Sequence, residues 1–454
     1  MFTFYLETHG CQMNEYDTLI ARSILERAGG VWTSRLESAH LIVINTCAVR
    51  EKAQEKVLNR VRSLLYLKKE NARAIGIIGC VAQSEKEKLL ENAPLDFVIG
   101  PDSLRSLAEL APIAEGHPVL EKSAPLVDTQ LSSRETYEDI VIQESRFFRM
   151  EDFPFSRFVT IQRGCDHFCS FCVVPFTRGR ERSKSTLSIL EEIKRLEENG
   201  AKSILLLGQN VNSFHNPTDT FVSLLEKILR ETGIPRISFT SPHPKDFPME
   251  LLSLIGREKR LVSHLHAPLQ SGSDGVLERM KREYTQKEYL ELIENAYREI
   301  PRLNLTTDII VGFPGETHED FEQTRKVMQL ADFDSAFMFA YSERPHTYAR
   351  QKYPDDIPPE EKIKRLQIII EEQNTRARKK NETYLGSTVQ MIPEEFSKRG
   401  QEYITGKSEN GKKILLDSRN LREEWIARHE EIQVKVESAT SVTLFGKITE
   451  PDVY

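Results

Sequence analysis

Cysteine is scarce: six residues among 454, at positions 11, 47, 80, 165, 169 and 172. A chain this long with so few does not need a disulfide framework, which belongs to small secreted domains in oxidising compartments. Long apolar runs are missing as well. No segment reaches the ~18 uncharged apolar residues of a membrane span. The opening MFTFYLETHG has no basic n-region and carries Glu7 inside its only apolar run, unlike a secretory leader. There is no excess of positive charge either; 62 Lys and Arg against 69 Asp and Glu leave a formal −7, which argues against indiscriminate binding of polyanions. These absences together predict a soluble, cytoplasmic protein with no membrane partner, whose cysteines serve catalysis or metal.

What is there reads as roughly three units, at about 150 residues per domain. Residues 1–120 alternate apolar runs (FTFYLET, LIVINT, AIGIIG, DFVIG) with amphipathic helical stretches, the pattern of βαβ units around a parallel sheet. Cys11, Cys47 and Cys80 each fall just after one of the first three strands. Right-handed crossovers put those strand ends on one edge, so residues spaced 36 and 33 apart converge. Residues 121–150 are charged, hold Pro and lack sustained period, which reads as a connection. From 151 to 383, six apolar strands (RFVTIQ, SILLLG, RISFT, LVSHLHAPL, LNLTTDIIVG, SAFMFAYS) separated by helices predict an incomplete (β/α)6 barrel, with function at the C-terminal strand ends. Residues 384–454 carry five short β-type runs between Gly and charged turns, a small β-barrel. The fold class is α/β throughout the first two units.

The stretch RGCDHFCSFCVVPFTRGRERSK, 163–184, places three cysteines in eight positions. Zinc wants four ligands, and His167 is the nearest fourth, strained by lying inside the loop. A [4Fe–4S] cube takes one thiolate per iron, so three cysteines leave one iron open to a non-protein ligand. Cys11, Cys47 and Cys80 repeat that arithmetic; the alternative is that they are small buried hydrophobes. Both alternatives stand at this point.

The segments THGCQMNEYD, INTCAVRE, GCVAQ, RGCDHFCSFCVVPFTRGRERS, LGQNVNSF, LQSGSDGVLERMKREYT and TDIIVGFPGETHEDF resemble the radical S-adenosylmethionine (radical SAM) methylthiotransferase family over nearly the whole chain. QMN after Cys11 and RGRERS after Cys172 favour the branch acting on isopentenyladenosine next to the tRNA anticodon. Alternatives are the branches acting on threonylcarbamoyladenosine or on a ribosomal protein, or a non-catalytic metal-stapled RNA-binding protein. Two departures stand out: PHTYA at 345–349 where the family usually has PGT, and APLQ where PVQ is common. The resemblance implies an N-terminal cluster domain, a central radical SAM barrel and a C-terminal TRAM-like RNA-binding barrel. It implies two [4Fe–4S] clusters. The one at Cys165, Cys169 and Cys172 chelates S-adenosylmethionine and reduces it to a 5′-deoxyadenosyl radical. The other, at Cys11, Cys47 and Cys80, holds sulfur. It also implies tRNA, an electron donor such as a flavodoxin or ferredoxin, and a sulfur or cluster supply system as partners.

Beyond the cysteines, no acid/base residue is needed for radical substitution. Phe171 matches the aromatic position beside the cofactor's adenine, against a core phenylalanine as the plainer reading. Gln209, Asn210, Ser241, Gln270 and Asp308 lie at or near strand ends and are expected to bind the cofactor, against capping roles. Gly312, Gly315 and Glu316 read as a turn and helix cap. Arg178, Arg180, Arg182 and Lys184 alternate, so an extended loop would line four cations on one side for RNA phosphate; a solvated charged loop is the rival.

Overall fold

The runs LIVINT and AIGIIG are apolar at almost every position because both faces of their strands are covered. They become β3 (Leu41–Thr46) and β4 (Ala74–Gly79), every residue buried, at the centre of a parallel sheet. The structure, a computed structural model, describes residues 1–48, 52–69, 74–115, 124–142, 156–396, 403–417 and 431–449. Flanking the central pair are β1 (Phe2–His9), β2 (Gly30–Trp32), β5 (Phe97–Ile99) and β6 (Leu126–Asp128), in the order β2-β1-β3-β4-β5-β6 and all parallel. Helices α1 (Gln12–Arg27), α2 (Lys52–Leu64), α3 (Cys80–Asn92) and the short α4 (Ala111–Glu115) connect them. Strand β6 falls in the segment read as a connection: three residues add the sixth strand by pairing with β5. The expected boundaries at 120/121 and 150/151 lie outside the described residues.

The central unit has the six expected strands. β7 (Ser156–Thr160) runs on through β8 (Gln162–Arg163) into the cysteine loop, α5 (Val174–Arg178) and β9 (Arg182–Ser183). Then come α6 (Thr186–Glu198), β10 (Ser203–Leu207), α7 (Phe221–Glu231), β11 (Arg236–Phe239), α8 (Met249–Arg257), β12 (His264–His266), α9 (Asp274–Arg279), α10 (Gln286–Glu299), β13 (Asn304–Val311), α11 (His318–Ala331) and β14 (Ser335–Ala340). They form two three-stranded parallel sheets, β7-β10-β11 and β12-β13-β14. A parallel bridge between Ile237 and Leu261 joins the two, giving an open barrel of six strands. Its helices start cleanly: Thr220, Thr285 and Thr317 each accept from the third helical amide while that residue's side chain answers the cap amide, a device worth about 0.5–2 kcal/mol per cap. Inner apolar faces of β7 and β10 (Phe158, Leu205, Leu207) pack into the same cluster as Phe2, Phe4 and α1, so the first two units share a core.

After α12 (Tyr348–Lys352) and the long α13 (Pro359–Glu382), five strands close into a barrel: β15 (Thr388–Phe396), β16 (Tyr403–Ser408), β17 (Lys413–Asp417), β18 (Ile432–Ala439) and β19 (Leu444–Ile448), ordered β15-β16-β17-β19-β18. Alternate residues Ile404, Ile414, Leu416, Val434 and Val436 fill it. It docks on the N-terminal ends of the central strands. Arg236, first residue of β11, donates to the Lys407 and Gln390 carbonyls at 2.7 and 2.8 Å, and buried Lys412 reaches Asp334 just before β14. Among the described residues no helix is long and apolar enough to cross a membrane.

Candidate functional site

Each cysteine group sits where parallel strands end. Cys11 is the N-cap of α1 behind β1, Cys47 follows β3, and Cys80 opens α3 directly after β4. Because β1, β3 and β4 are neighbours, the sulfurs meet along one edge. Cys11 and Cys47 are near enough for their thiols to hydrogen-bond. Gly79 makes the turn into Cys80 with φ +94°, and a Cβ there would lie 2.4 Å from Asn45 Oδ1, so both dihedral and space demand glycine. The turns are tied to one another. Asn14 Nδ2 donates to Asn45 Oδ1 at 2.9 Å and to the Thr46 carbonyl at 3.1 Å, and the Cys11 thiol donates to Asn14 Oδ1 at 3.2 Å.

The second group is local. Gly164 enters the loop at φ +79°, and a Cβ on it would collide with the Arg180 carbonyl at 2.0 Å. The Cys172 amide donates to the Cys169 carbonyl at 3.0 Å, the Ser170 amide to the Met280 carbonyl at 2.9 Å, and the Ala349 amide to the Ser170 carbonyl at 2.7 Å. Buried Arg282 donates to Cys169 Sγ at 3.3 Å and the Val174 amide to Cys172 Sγ at 3.5 Å.

The electrostatics of the groups differ. The hydrogen bond with Cys47, helped by the nearby Arg178 charge, brings the Cys11 thiol down to about 6, while burial pushes Cys80 up. Burial pushes Cys165 and Cys172 up to about 12. Arg178 suits a cluster here: its guanidinium faces Cys80 and Cys11, and while Nη1 pairs with Asp17, Nη2 is buried without a hydrogen-bond partner, so cluster sulfur is a ready one.

Of the expected cofactor residues, Phe171 lies in the second loop and Gln209 and Asn210 contact it. Gln209 accepts from the Gly164 amide. Buried Asn210 lies with Nδ2 3.0 Å from His167 Nε2 and accepts at 3.2 Å from the His243 amide. Ser241 and Gln270 adopt left-handed backbone at φ +56° and +68°. The Gln270 amide donates to the Asp308 carbonyl at 2.8 Å, and the Asp308 carboxylate lies 3.3 Å from His266 Nε2. Phe171 packs against the cluster of Val276, Met280, Phe313, Tyr341 and Ala349. Glu316 is the expected turn anchor: it accepts from the Gly312 amide at 2.9 Å and pairs with Arg365.

The expectation of four cations facing RNA is corrected. Arg178, Arg182 and Lys184 are 3%, 8% and 2% exposed, shut in the seam between the first two units. Arg178 Nη1 lies 2.8 Å from Asp17 Oδ2, Arg182 pairs with Asp102, and Lys184 Nζ donates to Tyr16 Oη at 2.8 Å and Glu192 Oε2 at 3.0 Å. The alternation was real, but its shared side faces the protein. Of the four only Arg180, between the left-handed Gly179 and β9, is open to solvent.

Three residues escaped sequence reasoning. Arg163, 1% exposed, shares Asp17 with Arg178 at 2.8 Å; its position just before the cysteine loop was the only signal. Arg282 on Cys169 gave none. His243, at the end of β11 in TSPHPKDF, stacks on His167 with centroids 3.8 Å apart, and burial keeps it neutral with Nε2 unpartnered. A strand-end histidine was signal enough. Its vacant nitrogen at the barrel mouth suits a bound polar cofactor.

Six parallel strands opening onto a three-cysteine loop define the radical SAM class. The profile described as "Radical SAM superfamily" matches residues 159–328 and that of "Uncharacterized protein family UPF0004" residues 3–100. The fold is similar to a radical S-adenosylmethionine methyltransferase, TsrM, from Kitasatospora setae, at TM-score 0.59 and 15% identity over 76% of this chain and 73% of that one. Two proteins named tRNA-2-methylthio-N(6)-dimethylallyladenosine synthase are far nearer. That of Azobacteroides pseudotrichonymphae is 40% identical, covering 97% of this chain and 96% of its own. That of Porphyromonas gingivalis is 38% identical, covering 98% and 95%. The chain belongs to the tRNA-2-methylthio-N(6)-dimethylallyladenosine synthase family.

Proposed function

We propose that the protein is a tRNA methylthiotransferase that converts N6-isopentenyladenosine next to the anticodon to its 2-methylthio derivative, with S-adenosylmethionine and two [4Fe–4S] clusters as cofactors. One observation carries the division of labour: both cysteine groups open on one seam. Val173, the residue after Cys172, packs in the same apolar cluster as Cys80, and Arg178, at the end of the same helix, reaches Cys80 and Cys11.

Adenine C2–H is neither acidic nor electrophilic enough for a side-chain base or nucleophile, and the bound cofactors supply the radical cleavage and the sulfur that no residue can. Cys165, Cys169 and Cys172 hold one cluster at the barrel mouth, with Arg282 donating to Cys169. Cys11, Cys47 and Cys80 hold the other, with Arg178 offsetting its negative charge. Phe171, Gln209, Asn210, Ser241, Gln270 and Asp308 would hold S-adenosylmethionine, His243 adding a free nitrogen. Arg180 is the cation left for RNA phosphate. The C-terminal barrel, seated at the opposite strand ends, needs a macromolecular substrate to be reached together with the mouth, which suits tRNA. A reduced flavodoxin or ferredoxin supplies electrons and a sulfur or cluster supply system restores what each turnover removes; the work is done in the cytoplasm, with tRNA.

The test is nucleoside analysis of tRNA from cells lacking this chain. Isopentenyladenosine should accumulate at the expense of its methylthio form; an unchanged ratio would sink the assignment.

A further inference from the structure

We propose that a cavity on the flank of the second cysteine loop is a subsite for one unpaired nucleobase of the RNA loop carrying the target adenosine; this rests on the tRNA reading above. The cavity, about 210 Å³, is lined by Phe168, Phe176, Lys281, His346 and Tyr348 and touches Cys169. Phe168, Phe176 and Tyr348 are 40%, 39% and 37% exposed. Rings left so open around one hollow lose the burial that normally recruits them.

Cations stand among the rings. Lys281 Nζ lies 3.5 Å from the Tyr348 ring centroid and Arg180 5.4 Å from that of Phe168, and no acidic side chain lines the cavity. Aromatic faces that stack bases, interleaved with cations that meet phosphate, are the chemistry by which proteins hold single-stranded nucleic acid.

The backbone is strained for it. Phe168, Lys281 and His346 all have left-handed φ, +48°, +56° and +65°, a region costly for any residue with a Cβ. His346, in the segment PHTYA, faces the same hollow. Glycine would hold φ +65° without strain. The histidine instead accepts the strain and contributes a ring whose centroid is 6.4 Å from that of Phe176, tilted by 40°. Tyr348, two residues on, supplies the third exposed ring. Phe168 and Cys169 are consecutive, so a base held here neighbours the one presented to the mouth.

The test uses the full-length reconstituted protein and a stem-loop RNA containing N6-dimethylallyladenosine, with 2-aminopurine replacing each unpaired neighbour in turn. Stacking should quench one flanking position, and His346→Gly and Tyr348→Ala should each abolish that quench and weaken RNA binding roughly five- to hundredfold. His346→Gly relieves the strained φ, so its melting temperature should hold or rise while affinity falls, which separates lost stacking from misfolding. RNA affinity equal to wild type in both variants overturns the subsite. So does weakened S-adenosylmethionine binding with RNA binding intact, which would assign the hollow to the cofactor's own adenine. Methylthiolation without quench at any position sinks the subsite and leaves the activity standing. A quench lost in both variants, with no adenosine methylthiolated, does the reverse.

Discussion

The two cysteine groups carry the same donors and are built in opposite ways. Cys165, Cys169 and Cys172 belong to one loop whose amides are fixed by its own turns and by contacts to Met280 and Ala349. Cys11, Cys47 and Cys80 come from three strand ends, and their geometry exists only while β1, β3 and β4 stay in register. The second kind of site is a product of tertiary structure, and it leans further on Arg178, which the other unit supplies. The local loop should therefore tolerate loosening of the seam, and the dispersed group should not.

The largest contrast is chemical. Cys169→Ala should abolish 5′-deoxyadenosine formation from S-adenosylmethionine, whereas Cys47→Ala should leave cleavage partly intact and abolish methylthio product. Equal loss of cleavage in both would erase the distinction between the groups.

Next comes the seam. Asp17 is 1% exposed and lies 2.8 Å from both Arg163 and Arg178. Replacing it with Asn leaves two buried cations without their counter-charge, a change that costs about 3–5 kcal/mol when one partner of a buried pair is removed. Thermal unfolding should show that loss, and the anaerobic protein should retain roughly half of its iron, with cofactor cleavage surviving. Full iron content in Asp17→Asn would show that the dispersed site does not depend on the seam.

Thiol reactivity separates the groups more finely. Cys11 is exposed and its thiol is lowered to about 6, while Cys165 and Cys172 are raised to about 12. In iron-free protein, alkylation of Cys11 should be level above about pH 7, be half of that near pH 6 and fall further below it, because the thiolate is lost there; alkylation of Cys165 and Cys172 should still be climbing at pH 9. At pH 7.5 the ratio should be roughly a hundredfold, after the weaker nucleophilicity of a low-pKa thiolate is allowed for. Parallel pH profiles by peptide mass spectrometry would refute it.

How far the sequence could be read follows the same division. The compact loop was legible because its spacing is local, and the dispersed group because apolar runs announce strands whose ends share an edge. The six central strands and the five of the C-terminal barrel were legible from their period. Strand β6 was not, since three residues beside charged sequence carry no pattern, and neither were the pairings of Asp17 and Asp102, whose partners lie in another unit. A charge pattern states which residues share a side; only the fold states what that side meets.

The smallest effect tests that last point directly, within one stretch of chain. Arg180 is 66% exposed, its Nε 2.9 Å from Asp166, an exposed pair worth at most about 1 kcal/mol, so phosphate can displace the carboxylate at little cost. Arg180→Ala should leave the melting temperature almost unchanged, weaken stem-loop binding a few-fold and reduce the slope of log affinity against log salt by about one. Arg182→Ala, two residues on, should do the opposite: it strands Asp102 in the seam and lowers stability, while the salt slope stays as it was. Should Arg182→Ala change the slope and Arg180→Ala not, the seam opens to admit RNA, and the buried side of the alternation is a binding surface after all.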